Sequence, residues 1–244
     1  MGSVRIPKFP SKNGWTPETF RDRQPLIMRK QIITILTALT AAASGSASAN
    51  TVVSNLGEAG GASVSVGPFS SNTQGDPLAQ AFSTPTTGPG WTLNSLTFTL
   101  DALGSGAGGL TVELYSDNAG IPGTSLATLS GTSPSVTGFA NYTFTTTSTV
   151  TLATNTTYFA VLTAPSPTST DKYRWRQTTT GQTGDPGWAI ADSSYYYNSG
   201  SVWTQDTGTP NYIAVDASAV PEPSTVLLVL AAAGGAYFLK RRRC

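Results

Sequence analysis

The stretch "LNSLTFTL", residues 93–100, decides the fold class. Leu96, Phe98 and Leu100 alternate with Thr97 and Thr99, the period of two that puts one set of side chains on one face of a strand. Trp91 and Leu93 stand in the opposite phase, so one strand through all of them needs a bulge near Asn94 and Ser95.

The same pattern recurs outward from there. Leu110, Val112 and Leu114 alternate with Thr111, Glu113 and Tyr115, and Tyr142 alternates to Phe144. "YFAVL" at 158–162 is apolar on both faces and is expected to be a central strand. "GSGAGG" at 104–109, "SDNAGIPG" at 116–123 and "TAPSPTS" at 163–169 punctuate these runs with turn residues. No helical spacing of apolar positions competes with them. Short strands at this interval predict an all-β domain over 50–219, an antiparallel β-sandwich of the jelly-roll kind.

The chain has 244 residues and a formal net charge of only +1, which conceals a lopsided distribution. Between residues 50 and 220 stand three cations, Lys172, Arg174 and Arg176, against ten carboxylates. A body of net −7 repels phosphate backbones, and a nucleic-acid partner is excluded on that ground. The balancing cations lie in two end segments.

The first end segment reads as an export signal beginning at Met28. "MRK" is a cationic start, residues 32–43 an apolar run, and Ala47 and Ala49 frame a small-residue cleavage site before Asn50. The expected domains are thus 1–27, a spurious or disordered extension; 28–49, a signal peptide removed by signal peptidase; and 50–219, the β domain. The fourth, 220–244, opens on "VPEP" (Val220, Pro221, Glu222, Pro223), continues with a short apolar run, and ends in Lys240, Arg241, Arg242 and Arg243 before Cys244. Its two prolines favour an extended backbone ahead of the run. A helix over 225–239 would reach roughly 22 Å, short of the ~30 Å hydrocarbon core, so it is a marginal transmembrane helix. The terminal cations hold that end in the cytosol as a stop signal.

Chemistry is restricted by what is missing. With no histidine and a single cysteine at the extreme C-terminus, a histidine-dependent triad, a cysteine nucleophile and an imidazole metal site are all excluded. Paired carboxylates remain, and Glu113, Asp185, Asp192 and Asp206 are the candidates for a glycoside hydrolase. "SDNAG" at 116–120 offers Asp117 and Asn118 as hard oxygen donors but lacks a calcium-loop ligand series, so a turn is expected, with no metal and no cofactor. In "DKYRWRQ" at 171–177, alternation puts Tyr173 and Trp175 on one face and Lys172, Arg174 and Arg176 on the other. One reading is a core face backed by a solvated basic stripe. The other is a contact for acidic polysaccharide, with Trp188, Trp203 and the tyrosines at 195–197 supplying flat faces for sugar rings.

Two resemblances follow from these residues. Val220 to Pro223, the apolar run and the terminal basic cluster resemble the PEP-CTERM sorting signal of Gram-negative bacteria. That resemblance implies processing by exosortase, export to the cell surface or beyond, transient anchoring in the inner membrane, and association with exopolysaccharide or biofilm. "QAFST", "LNSLTFTL", "GGLTVELYSDNAGIPGTSLATLSG", "TTYFAVLTA" and "YRWRQT", in this order, resemble the choice-of-anchor R domain, which implies a surface location and carries no activity. The resulting expectation is a non-catalytic exported surface or matrix protein, with a carbohydrate-binding module and a carboxylate glycosidase as alternatives.

Overall fold

The computed structural model describes residues 50–66, 77–103, 109–164, 173–179, 181–197 and 202–221. These contain no helix and thirteen strands: β1 (Thr51–Ser54), β2 (Gly60–Val66), β3 (Leu78–Ser83), β4 (Trp91–Ala102), β5 (Thr111–Asn118), β6 (Ile121–Gly131) and β7 (Ala140–Leu152), then β8 (Thr157–Thr163), β9 (Tyr173–Thr178), β10 (Thr183–Gly184), β11 (Ala189–Tyr197), β12 (Trp203–Thr207) and β13 (Ile213–Ala219). The expected signal peptide and transmembrane helix lie outside the described residues. Among the described residues no helix is long and apolar enough to cross a membrane.

All thirteen strands pair antiparallel in one sheet, ordered β10-β1-β13-β4-β7-β6-β5-β8-β3-β11-β12, with β9 pairing both β2 and β4. The sheet curls into a half-barrel. The antiparallel all-β class expected from the sequence is present, but the strands form one curled sheet where two separate sheets of a sandwich were expected. β4 is the reason. At twelve residues it holds β13 along Trp91–Phe98 and then β9 along Leu100–Ala102 on the same edge, so two groups of strands are joined through it.

The phase change in β4 is a register shift, as its sequence demands. Leu93 pairs with Val150 and Ser95 with Thr145, and the opposite neighbour shifts between Asp216 and Ala217. Leu93 and Leu96 are thereby both fully buried. They join Phe98, Leu100, Val112, Leu114, Phe144, Leu162, Trp175 and Val215 in the core enclosed by the curl. Tyr158–Leu162 is buried at every position, because β8 lies between β3 and β5 and carries apolar packing on both faces.

The shift leaves Asp216 half-buried, and its Oδ1 finds no hydrogen-bond donor among the described residues. Burial raises its pKa above the ordinary carboxylate value. The folded state therefore holds the proton more tightly than the unfolded chain does. The associated stability is present below the unfolded value of about 3.9 and is lost as pH rises through the folded one. Asp216→Asn should remove that loss. The variant should match wild type near pH 3 and melt above it at pH 7, and equal melting temperatures at both values would contradict the assignment.

Gln80 closes the fold in a way its sequence context did not announce. It sits in β3 between Ala79 and Ala81 and points into the core, fully buried. Between its pairings Ile190 with Phe82 and Ser194 with Gln80, β11 bulges away from β3, which leaves carbonyls without ladder partners. Gln80 Nε2 donates to two of them, Ala191 O at 2.8 Å and Ser193 O at 3.1 Å. Its Oε1 accepts from Asn211 N at 2.7 Å. Asn55 extends the network, donating to Asn211 O at 3.0 Å and accepting from Ile213 N at 2.6 Å. This buried amide layer ties β3 and β11 to the segment leading into β13.

Candidate functional site

The sorting motif begins where the sheet ends. β13 pairs with β4 to its last residue, Ala219 opposite Trp91, and Val220 N then donates to Gly90 O at 3.1 Å. No linker separates Val220 and Pro221 from the last strand. On the other edge of β13 lies β1, with Thr51 opposite Asp216 and Ala217 N donating to Asn50 O at 3.3 Å. Because β1 and β13 are antiparallel, Asn50 and Val220 leave the sheet at the same end. Glu222 and Pro223 of the motif, Ala47 and Ala49 of the cleavage site, and Lys240, Arg241, Arg242 and Arg243 lie outside the described residues, as does Cys244.

The basic stripe is structured by its neighbours. Tyr173 and Trp175 are buried in the core, as the alternation in β9 predicts, and Arg174 and Arg176 face the other way, partly exposed. Arg174 directs Nε and Nη2 onto Oδ2 of the fully buried Asp101, while Gly138 N donates to Asp101 Oδ1 at 2.6 Å. Both guanidinium groups lie against the Phe139 ring, at 5.2 Å for Arg174 and 5.6 Å for Arg176, and Arg176 also lies 5.5 Å from the Tyr212 ring centre. These contacts engage both cations in holding β4, β9 and the β6–β7 connection together. Lys172 lies outside the described residues. Asp101 was missed in the sequence; its only signal there was a carboxylate ending a long apolar strand.

The aromatic candidates are dispersed. Trp188 is buried, edge-on to Trp91 with ring centres 5.2 Å apart, so its ring packs in the core. Trp203 is partly exposed on β12 and meets Tyr197 edge-on at 5.2 Å. It belongs to a second apolar cluster on the outer face of the sheet, formed by Ala79, Ala81, Phe159, Val161 and Tyr195 with Tyr115, Ile121, Ala191 and Trp203 packed against it. Of the three consecutive tyrosines, Tyr195 is buried here while Tyr196 is exposed.

Two carboxylates on β5 border that outer cluster. Glu113 accepts from Ser125 Oγ at 2.8 Å and from Tyr115 Oη at 3.3 Å. Burial and then the charge and hydrogen bond of Glu113 raise the Tyr115 pKa, and burial and then the charge of Asp117 raise that of Tyr195. The sheet order puts β8, β3 and β11 between β5 and β12, which separates Glu113 from Asp206 by roughly 19 Å along the sheet at ~4.8 Å per strand. Glu113 and Asp206 thus do not lie on neighbouring strands. Asp185 sits elsewhere, donating its backbone N–H to Val52 O at 2.8 Å beside β1, and Asp192 is exposed on β11.

"SDNAG" forms the turn of the β5–β6 hairpin. Asn118 pairs with Ile121 across Ala119 and Gly120, both at positive φ (55° and 87°), as a two-residue hairpin requires. Asp117 Oδ1 accepts from Gly120 N at 2.8 Å, so it is used in shaping the turn. Among the described residues no group of three or more His, Cys, Asp or Glu side chains could hold a metal ion.

Comparison with known proteins identifies one segment. No curated protein matches the chain. Residues 219–243 match the PEP-CTERM protein-sorting motif, from the last residue of β13 through the terminal basic cluster. The chain therefore carries a PEP-CTERM sorting signal joined directly to the final strand of an all-β domain.

Proposed function

We propose that this chain is a non-catalytic surface or extracellular-matrix protein of a Gram-negative bacterium, exported through its N-terminal signal, held briefly in the inner membrane, and released to its destination by exosortase. The match at residues 219–243 carries this reading. The fold agrees with loss of the tail, since among the described residues the last strand pair is Ala219 with Trp91 and each strand ends before Val220. The resemblance to the choice-of-anchor R domain, with its surface location, fits the same picture, as does association with exopolysaccharide in a biofilm.

The test changes the tail and leaves the domain intact. Pro221→Ala with Pro223→Ala keeps the apolar run and the basic cluster but frees the backbone to extend a helix through the motif. In a host with the matching exosortase, wild type should lose its tail, and the variant should stay membrane-bound at full-length mass. Replacing the four terminal cations by Ser should instead let the short span slip through unprocessed. Intact-mass measurement after fractionation distinguishes the cases, and wild-type surface protein that retains Cys244 would refute the processing.

A carbohydrate-binding role is the second reading, favoured by the partly exposed Trp203 beside Tyr197 on the outer face. Trp203→Ala should abolish binding on a glycan array without unfolding the domain.

A further inference from the structure

We propose that the end of the domain formed by loops 84–90, 153–156 and 185–188 is a membrane-apposed surface, resting on lipid headgroups while the tail is inserted. The inference rests on the sorting reading above, and its first argument is chain length. The last described residue is Pro221, one residue beyond the hydrogen bond from Val220 N to Gly90 O. The apolar run is under way by Val226. Five residue steps span at most about 18 Å even when fully extended. About 6 Å of that is consumed by the headgroup layer. The end of the sheet therefore sits within about 12 Å of the lipid surface, and it cannot turn away while Val220 remains paired.

The second argument is charge. An anionic bilayer repels a body carrying ten carboxylates and three cations. The three loops, together with Asn50, Val220 and Pro221, contain one charged side chain, Asp185, and the β5–β6 turn at the same end adds the exposed Asp117. The surface that the tail draws toward the lipid thus holds only a small part of the body's ten carboxylates.

The third is construction. Thr84 Oγ1 donates to Ala153 O at 2.7 Å and accepts from Thr156 N at 3.0 Å, Asn155 N donates to Pro85 O at 2.8 Å, and Tyr158 Oη accepts from Ala153 N at 2.8 Å. These bonds lock loops 84–90 and 153–156 to one another. Asn50 leaves the same end, so a signal segment still attached would enter the bilayer beside the tail without turning the domain.

The experiment uses the full chain in the Cys244→Ser background, reconstituted into phosphatidylethanolamine–phosphatidylglycerol vesicles. A single cysteine replaces either exposed Thr87, at this end, or exposed Val136, in the β6–β7 connection at the other end of β4, and carries an environment-sensitive fluorophore. Spin-labelled headgroups should quench the Thr87 site severalfold and leave the Val136 site nearly unchanged. A twelve-residue Gly/Ser insertion between Ala219 and Val220 should abolish the difference. Equal quenching at both sites with the vesicle-bound chain overturns the orientation alone. Failure of the chain to float with vesicles overturns the membrane-inserted tail, and the orientation with it.

Discussion

Trp175→Ala is expected to destabilise the domain by about 4 kcal/mol, the range for deleting a fully buried large aromatic. Trp175 has no exposed surface, packs edge-on to Phe98 at 5.2 Å with the rings at 88°, and donates Nε1–H to Tyr212 O at 2.7 Å. It also pairs with Leu100 at the point where β9 takes over the edge of β4 from β13. Truncation leaves a cavity, an unpaired carbonyl and a weakened junction between two groups of strands. At ~2–4 °C per kcal/mol for a domain of this size, the melting temperature should fall by roughly 8–16 °C. Trp203→Ala on the partly exposed β12 should change stability by less than about 1 kcal/mol. Urea unfolding followed by near-ultraviolet circular dichroism measures both. A loss under about 1 kcal/mol for Trp175→Ala would mean the junction is not held by this side chain.

The second large effect is expected at Gln80, where Gln80→Leu should cost about 3 kcal/mol. The substitution is nearly isosteric, so the loss comes from polar groups. Ala191 O, Ser193 O and Asn211 N all lose the side-chain partner they have in the buried layer. Gln80→Glu separates this from packing. Its carboxylate can still accept from Asn211 N but faces two carbonyl oxygens that need a donor, so burial and repulsion raise its folded pKa. Its stability should be greatest below the unfolded carboxylate value of about 4.3 and decline as pH rises through the raised folded value. At neutral pH it should be less stable than Gln80→Leu. A pH-independent Gln80→Glu variant as stable as wild type would show that the layer contributes nothing.

How far the sequence could be read depended on whether local pattern or distant contact set each feature. The strands were legible because alternation is local: Leu96 to Leu100 and Leu110 to Leu114 each declare a buried face within a few residues. The phase change at Asn94 was legible for the same reason, since a shift between Leu93 and Ser95 is the means by which Trp91, Leu93 and Leu96 can share a core. The turn at Ala119 and Gly120 followed from residue chemistry. Asp101 and Gln80 were not legible. A carboxylate or amide in a strand carries no mark of burial, and their partners lie 73 residues away for Arg174 and 131 for Asn211.

The sorting tail belongs wholly to the sequence. Its prolines, apolar run and terminal cations act through backbone restriction, hydrophobic length and charge, none of which needs a folded partner. The same holds for the all-β class, for which alternation and turn residues suffice. Tertiary structure alone decided the architecture and the fate of the side chains. The long β4 joined its partners into one sheet, Asp101 and Phe139 engaged the arginines, and burial took Trp188 into the core. Most of all, it placed Asn50 and Val220 at one end of the sheet. Strand neighbours are chosen by the summed burial of faces distant in sequence, so the end from which a terminus leaves is a property of the pairing and cannot be read from the residues that leave.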